Sequence, residues 1–231
     1  MKIDIAVIGA MEPEVEGLIA EMEAHEIETV SGICVHLGKI YDKTVAVARC
    51  GIGKVFAALC AQTLILKYSP SLVINSGVGG AIAPDLKTAD IIIASDLCQH
   101  DMDTSPIGDP VGLISGINKI YFEADKRATE ILLSSAKALE LTARAGRVAT
   151  GDKFIACAKD KEYIENNFSA DACEMEGCAI AQVAFVNNTP FAVVRAISDS
   201  ANGEATMDYP TFLPIAAENS QKLTLSLIKE W

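Results

Sequence analysis

The chain has 231 residues, a formal net charge of −12, and is half hydrophobic but only 6% aromatic. That length suits one domain with a full core, and an acidic balance without a basic patch speaks against nucleic acid as a partner. No apolar stretch nears the roughly 18 residues of a membrane span, and the start Met1-Lys2-Ile3-Asp4 turns acidic too early for a signal peptide, so no membrane partner and a cytoplasmic location are expected.

The predicted elements alternate between strands and helices along the chain. Residues 2–9 read as a buried first strand, and residues 12–24 as an acid-rich amphipathic helix with Pro13 in its first turn. Residues 33–40 and 44–50 form a hairpin turning at Tyr41-Asp42-Lys43, and 53–67 a helix opening at a Gly-rich turn. Strand 71–76 runs into Gly77-Val78-Gly79-Gly80, and strand 90–97 follows. Residues 99–120, with Pro106, Gly108, Pro110, Gly112 and Gly116, form a long loop of the kind that is functional or interfacial. Then come helix 125–140, strand 143–150, turn 151–155, a helix near 159–167, strand 171–175, helix 176–187 and strand 190–198. An irregular stretch, 200–209, leads to a terminal helix near 210–229.

Without linker, repeat or low-complexity tract, residues 1–231 read as one domain. The expected class is α/β: three layers, with helices on both faces of a central mixed, mostly parallel sheet rich in Ile, Val, Leu and Ala. Seven scattered cysteines, mostly inside apolar runs and lacking any Cys-x-x-Cys, read as free thiols in a reducing compartment.

Several motifs fail as known signatures. Gly51-Ile52-Gly53-Lys54 lacks the earlier glycine and the following Ser or Thr of a phosphate loop. Gly77-Val78-Gly79-Gly80 has Ile82 where a dinucleotide fingerprint needs its last glycine; the glycines suggest backbone passing close to a ligand or another strand. His100-Asp101-Met102-Asp103 matches no strong zinc spacing and reads as a pinned loop, so neither metal nor cofactor is expected. Ser76 and Ser198 lack a nucleophile elbow.

Acids at strand tips are more informative. Asp199 closes the apolar run Phe191–Asp199, Glu12 follows the first strand, and Glu176 follows a third. Ligands of open α/β sheets bind outside these carboxyl ends. Each acid alone is equally a helix N-terminal acid, but together with Arg195 they suggest acid–base chemistry on a neutral or cationic small molecule.

GAMEPEV (9–15), CGIGK (50–54), NSGVGG (75–80), GDKFI (151–155), EMEG (174–177) and RAISD (195–199) occur in order across nearly the whole chain. Together they resemble the bacterial 5′-methylthioadenosine/S-adenosylhomocysteine nucleosidases, a hydrolase branch of the nucleoside phosphorylase superfamily. The resemblance implies cleavage of the C1′–N9 bond, releasing adenine and a 5-thio-substituted ribose, with 5′-deoxyadenosine as a further substrate. It implies Glu12 as the general base and Asp199 as the proton donor to adenine N7. Glu176 would hold the ribose diol, with Met175 packing on the sugar. Phe154 would stack on the base, and the backbone of Ile155 would read its edge. Gly80 would lie by the sugar and nucleophile, Arg195 would orient the acids, and Ser198 would join the binding set. Met11, Ile52 and Tyr209 would face the thioalkyl group, and part of 99–116 would cover the partner's site in a homodimer. Val78 stands where many relatives carry a serine, and Tyr209 where phenylalanine is common.

The chemistry fits these residue types. Adenine leaves poorly as an anion, so an acid protonated in a water-poor crevice must neutralise it at N7. Carboxylates stabilise the oxocarbenium-like sugar. Phosphate wants Arg, Lys or backbone N–H groups, whereas Glu12 and Glu14 follow the first strand with no basic residue beside them. Water is therefore the expected nucleophile; a sister nucleosidase or phosphorylase acting on another 5′-modified adenosine is the alternative.

Overall fold

The computed structural model describes residues 2–201 and 205–231, and its elements follow the expected alternation with two added strands, Glu23–Val30 and the short Phe122–Glu123. In chain order they are β1 (Ile5–Gly9), α1 (Glu12–Ala20), β2 (Glu23–Val30), β3 (Ile33–Ile40), β4 (Lys43–Arg49), α2 (Lys54–Tyr68), β5 (Leu72–Ala81) and β6 (Ile91–Gln99). There follow β7 (Phe122–Glu123), α3 (Lys126–Ala138), β8 (Ala143–Thr150), α4 (Ala158–Phe168), β9 (Ala172–Glu174), α5 (Gly177–Val186), β10 (Phe191–Asp199) and α6 (Ala205–Glu230).

The strands join one mixed sheet in the order β10-β6-β8-β9-β5-β1-β4-β3-β2, and β10 also pairs with β5. That extra pairing makes β5, β10, β6, β8 and β9 a closed ring from which β1, β4, β3 and β2 extend. The ladders β4–β1–β5–β10 are parallel, so their C-terminal ends meet at one edge. β1 and β5 are buried along their whole length, which explains their unbroken apolar and glycine-rich runs.

Helices cover both faces. One core layer joins the sheet to α2 and α5 through residues such as Leu64, Tyr68 and Ile180. The other joins it to α1, α3 and α6 through Leu18, Leu132, Leu223 and Leu227. A smaller cluster of Ile82, Ile155, Ile164 and Phe168 seats α4 beside β9.

Two expectations change. The predicted helix 12–24 stops at Ala20, and Glu23–Val30 is an edge strand paired antiparallel to β3. Acidic residues along an exposed edge discourage pairing with other chains, and they conceal its period-two signal. The terminal helix begins at Ala205 rather than near 210, running through Pro210 and Pro214; residues 202–204 of the expected irregular stretch lie outside the described residues. Among the described residues, no helix is long and apolar enough to cross a membrane.

Candidate active site

The C-terminal ends of β1, β5, β9 and β10 surround a cavity of about 360 Å³, a size suited to a small-molecule ligand. Glu14, Glu174, Glu176 and Asp199 line it, and among the described residues Lys153 is its one basic lining residue. Of the expected site residues, Met11, Ile52, Val78, Gly80, Phe154, Ile155, Met175, Glu176, Ser198, Asp199 and Tyr209 line the cavity. Arg195 lies directly behind it, 1% exposed.

Glu12 does not join them. Its side chain is 60% exposed and pairs with Arg49 at 2.6 Å on the protein surface, an interaction worth at most about 1 kcal/mol. Helix geometry is the reason: on α1 the inward residues are Glu14, Val15 and Leu18, and Glu12 sits two residues, about 200°, away from Glu14. The base assigned to Glu12 is therefore corrected; the carboxylate after β1 that enters the cavity is Glu14. Its Oε2 accepts from the backbone N–H of Ala10 (2.7 Å) and Met11 (2.9 Å), and its Oε1 from Val78 N–H (3.1 Å). Glu14 is the third residue past Met11, the spacing at which a glutamate reaches back to cap its own helix; that signal was available in the sequence. Burial lifts the Glu14 carboxyl above the usual carboxylate range, while Arg195 and the three N–H groups pull it down.

Arg195 reaches this site from the middle of β10. Its Nη2 donates to Glu174 and to Asn75 Oδ1, and its Nε to Glu174 Oε2 at 3.2 Å. Glu174 also accepts from the Thr150 hydroxyl, from Glu176 N–H (2.9 Å) and from Gly177 N–H (2.6 Å). Burial pushes Glu174 up, but Arg195 and these donors outweigh it, so its carboxyl is held below the ordinary value. Glu174 thus neutralises the guanidinium and fixes the N-terminus of α5; the sequence alone assigns it no role, because its distant partners come from β8 and β10.

Glu176 is placed differently. Its Oε1 accepts from Gly53 N–H at 2.8 Å, and its Oε2 lies 4.0 Å from Arg195. Burial first, and the charge of Glu174 second, raise its pKa, so it favours the protonated form. Gly53 itself has φ +100°, a backbone that glycine adopts readily. The Gly-Ile-Gly-Lys turn therefore carries an acid on its amide rather than a phosphate.

Asp199 ends β10 opposite Gly80 of β5, just past a register shift. Its Oδ1 accepts from Ala201 N–H (2.9 Å) and its Oδ2 from the Ser198 hydroxyl (2.9 Å). Burial raises its pKa, and those two donors partly oppose the rise. The glycines of β5 make room for the acids: a Cβ at Gly80 would stand 2.9 Å from Asp199 Oδ1, and one at Gly77 would stand 2.5 Å from Glu14 Oε1. The expected close approach is thus between β5 and carboxylates.

The other end of the cavity is apolar. Tyr209 donates to Met11 Sδ at 3.1 Å and meets Phe154 edge-on with centroids 5.6 Å apart; burial pushes the Tyr209 hydroxyl up to about 12. Phe154 and Ile52 are exposed at the rim, while Ile155 is buried. Among the described residues, neither the N–H nor the C=O of Ile155 has a partner, leaving both able to meet a ligand edge.

The His100–Asp103 segment pins loops, as expected. Asp101 holds Lys54 Nζ (2.6 Å) and Asp152 N–H (2.9 Å), and Asp103 accepts from Ser105 N–H (2.8 Å). Among the described residues, no three His, Cys, Asp or Glu side chains converge as metal ligands, and the seven cysteines are free.

Comparison with known proteins shows the family. The profile of the phosphorylase superfamily matches residues 4–229. A 5′-methylthioadenosine/S-adenosylhomocysteine nucleosidase of Shewanella loihica is 39% identical, covering 97% of this chain and 98% of its own length. The solved Neisseria meningitidis nucleosidase of the same name, in complex with methylthio-immucillin-A, superimposes with a TM-score of 0.96 at 32% identity over 99% of both chains. Futalosine hydrolase of Helicobacter pylori superimposes with a TM-score of 0.94 at 32% identity, covering 99% of this chain and 98% of that one. The chain belongs to the phosphorylase superfamily and, within it, to the family of 5′-methylthioadenosine/S-adenosylhomocysteine nucleosidases.

Proposed function

We propose that this chain hydrolyses the N-glycosidic bond of 5′-methylthioadenosine and S-adenosylhomocysteine, releasing adenine and the 5-thio-substituted ribose. The observation that carries this reading is the buried carboxylate of Glu14, held by three backbone N–H groups at the cavity wall. A carboxylate there takes a proton from water and repels phosphate. Among the described residues, the one cation lining the cavity, Lys153, is engaged by Asp160 at 2.6 Å.

In the reaction, water gives a proton to Glu14 as its oxygen bonds to C1′. The C1′–N9 bond breaks, and its electron pair passes into the purine. Asp199 delivers a proton to N7, so adenine leaves neutral. Desolvation keeps Asp199 protonated to higher pH than a free aspartic acid, as that step needs. Glu176 holds the ribose hydroxyls, with Met175 against the sugar. Phe154 stacks on adenine, and the free N–H and C=O of Ile155 read its edge. Met11, Ile52 and Tyr209 receive the thioalkyl group. Val78 serves through its backbone N–H on Glu14, which needs no side-chain hydroxyl. Arg195 and Glu174 together orient Glu14 and Glu176.

The enzyme acts as a homodimer in the cytoplasm, without a cofactor. Support for the dimer is exposed apolar surface: Val55, Phe56 and Leu59 of α2, Val186 of α5, and Ile107 of the 99–116 segment, 82% exposed. Five buried free cysteines suit a reducing compartment.

Steady-state kinetics on methylthioadenosine, S-adenosylhomocysteine and adenosine tests the substrate assignment. Loss of the buried methylthio contact should cost adenosine about 1–3 kcal/mol in kcat/KM. Equal kcat/KM for adenosine and methylthioadenosine would refute the thioalkyl reading.

A further inference from the structure

Lys161, one turn into α4, reaches the tips of β5 and β10. Its ammonium donates to the carbonyl of Ala81 (2.9 Å) and to that of Ser200 (2.9 Å). These carbonyls flank Asp199: Ala81 follows Gly80, the register partner of Asp199, and Ser200 follows Asp199 itself. The Ser200 C=O and the Ala201 N–H belong to one planar peptide unit and point in opposite directions. An ammonium holding that carbonyl therefore aims the N–H the other way, and it donates to Asp199 Oδ1 at 2.9 Å. Lys161 itself is not among the cavity-lining residues.

We propose that Lys161 is a positioning residue for the acid: by clamping the carbonyls on either side of Asp199, it fixes the peptide that orients the Asp199 carboxyl toward the leaving base. This rests on the reading of Asp199 as the proton donor. Bonds from an ammonium to carbonyls are charge-assisted and stronger than neutral ones, so a single side chain ties two strand tips.

The electrostatic consequence has a definite sign. Asp199 faces Ser198 on its own strand, Cys173 from β9, Asp208 and Tyr209 from α6, and Lys161 from α4. Lys161 and the Ala201 N–H both favour the charged carboxylate. Removing the ammonium takes away the first and misaims the second. The carboxyl then keeps its proton to higher pH, although it is less well aimed.

The test is kcat and KM of the full-length Lys161→Met variant on methylthioadenosine across the pH range of activity. The expected result is a fall in kcat of roughly 10- to 100-fold, KM nearly unchanged, and the alkaline limb of the kcat profile moved to higher pH. Lys161→Arg, whose guanidinium spans both carbonyls, should recover most of the rate and return the limb. Lys161→Gln, with one amide donor group, should fall between and serves if the Met variant does not fold. Wild-type kcat with an unmoved limb in Lys161→Met overturns the proposal, as does a loss of rate with an unmoved limb that Arg fails to restore. Should the wild type itself release no adenine, the reading of Asp199 falls along with the proposal; an active wild type beside an indifferent Lys161→Met defeats the proposal alone.

Discussion

Replacing Glu14 and Glu12 separately by glutamine should give opposite outcomes, although the two residues are one apart from being neighbours. Glu14→Gln removes the carboxylate proposed to accept the water proton, and general-base catalysis typically contributes about 10²–10⁴-fold, or about 2.7–5.4 kcal/mol of barrier. A second effect follows from the hydrogen bonds. Glu14 accepts from Ala10, Met11 and Val78 N–H groups, all donors. A glutamine can point its oxygen at Ala10 and Met11 but then turns its NH₂ toward Val78 N–H. Leaving that buried donor unmet costs about 1–3 kcal/mol of stability, offset in part because a buried carboxyl is no longer desolvated. Glu12→Gln removes only a surface ion pair with Arg49, worth less than about 1 kcal/mol. Adenine release under saturating methylthioadenosine, with inhibitor binding measured in parallel to establish that the site persists, gives both values. Wild-type kcat in Glu14→Gln, or an equal loss in Glu12→Gln, would refute the assignment.

Asp199→Asn should lower kcat by about 10²–10⁴-fold for methylthioadenosine and far less for a nucleoside whose leaving group needs no protonation; equal losses would make Asp199 structural. Because burial raises Asp199 and activity needs its protonated form, wild-type kcat should fall as pH rises through that raised value; a kcat that climbs steadily with pH contradicts the role. Glu176→Gln should impair ribose binding yet raise the melting temperature relative to wild type. A raised carboxyl pKa gives stability that is full below the unfolded value and is lost as pH rises through the folded one, so the gap should widen with pH; a gap that narrows is the contrary result. Gly80→Ala should fold but lose at least about tenfold in kcat, because its Cβ would stand 2.9 Å from Asp199 Oδ1; an unchanged kcat would show that Asp199 tolerates displacement.

Much of the site is legible in the sequence because strand tips are legible. The apolar run ending in Asp199, the glycine run at β5 and the EMEG turn place acids where parallel strands end. What the sequence conceals depends on facing and on distant partners. Glu12 and Glu14 are equivalent by composition, and what separates them is the inward phase set by Val15 and Leu18 together with the capping spacing of Glu14 from Met11. Glu174 reads as another helix N-terminal acid until β9 and β10 bring it to Arg195. β2 is hidden because both of its faces are largely exposed, so polar and acidic residues on each face mask its period of two. Pro210 reads as a helix start, yet α6 already includes Ala205.

In the proposed reaction water, activated at an acidic wall, is the nucleophile. Purified protein should release adenine from methylthioadenosine at the same rate with and without inorganic phosphate, yielding free 5-methylthioribose in equal amount. A rate that requires phosphate, with a ribose 1-phosphate as the product, would contradict the account.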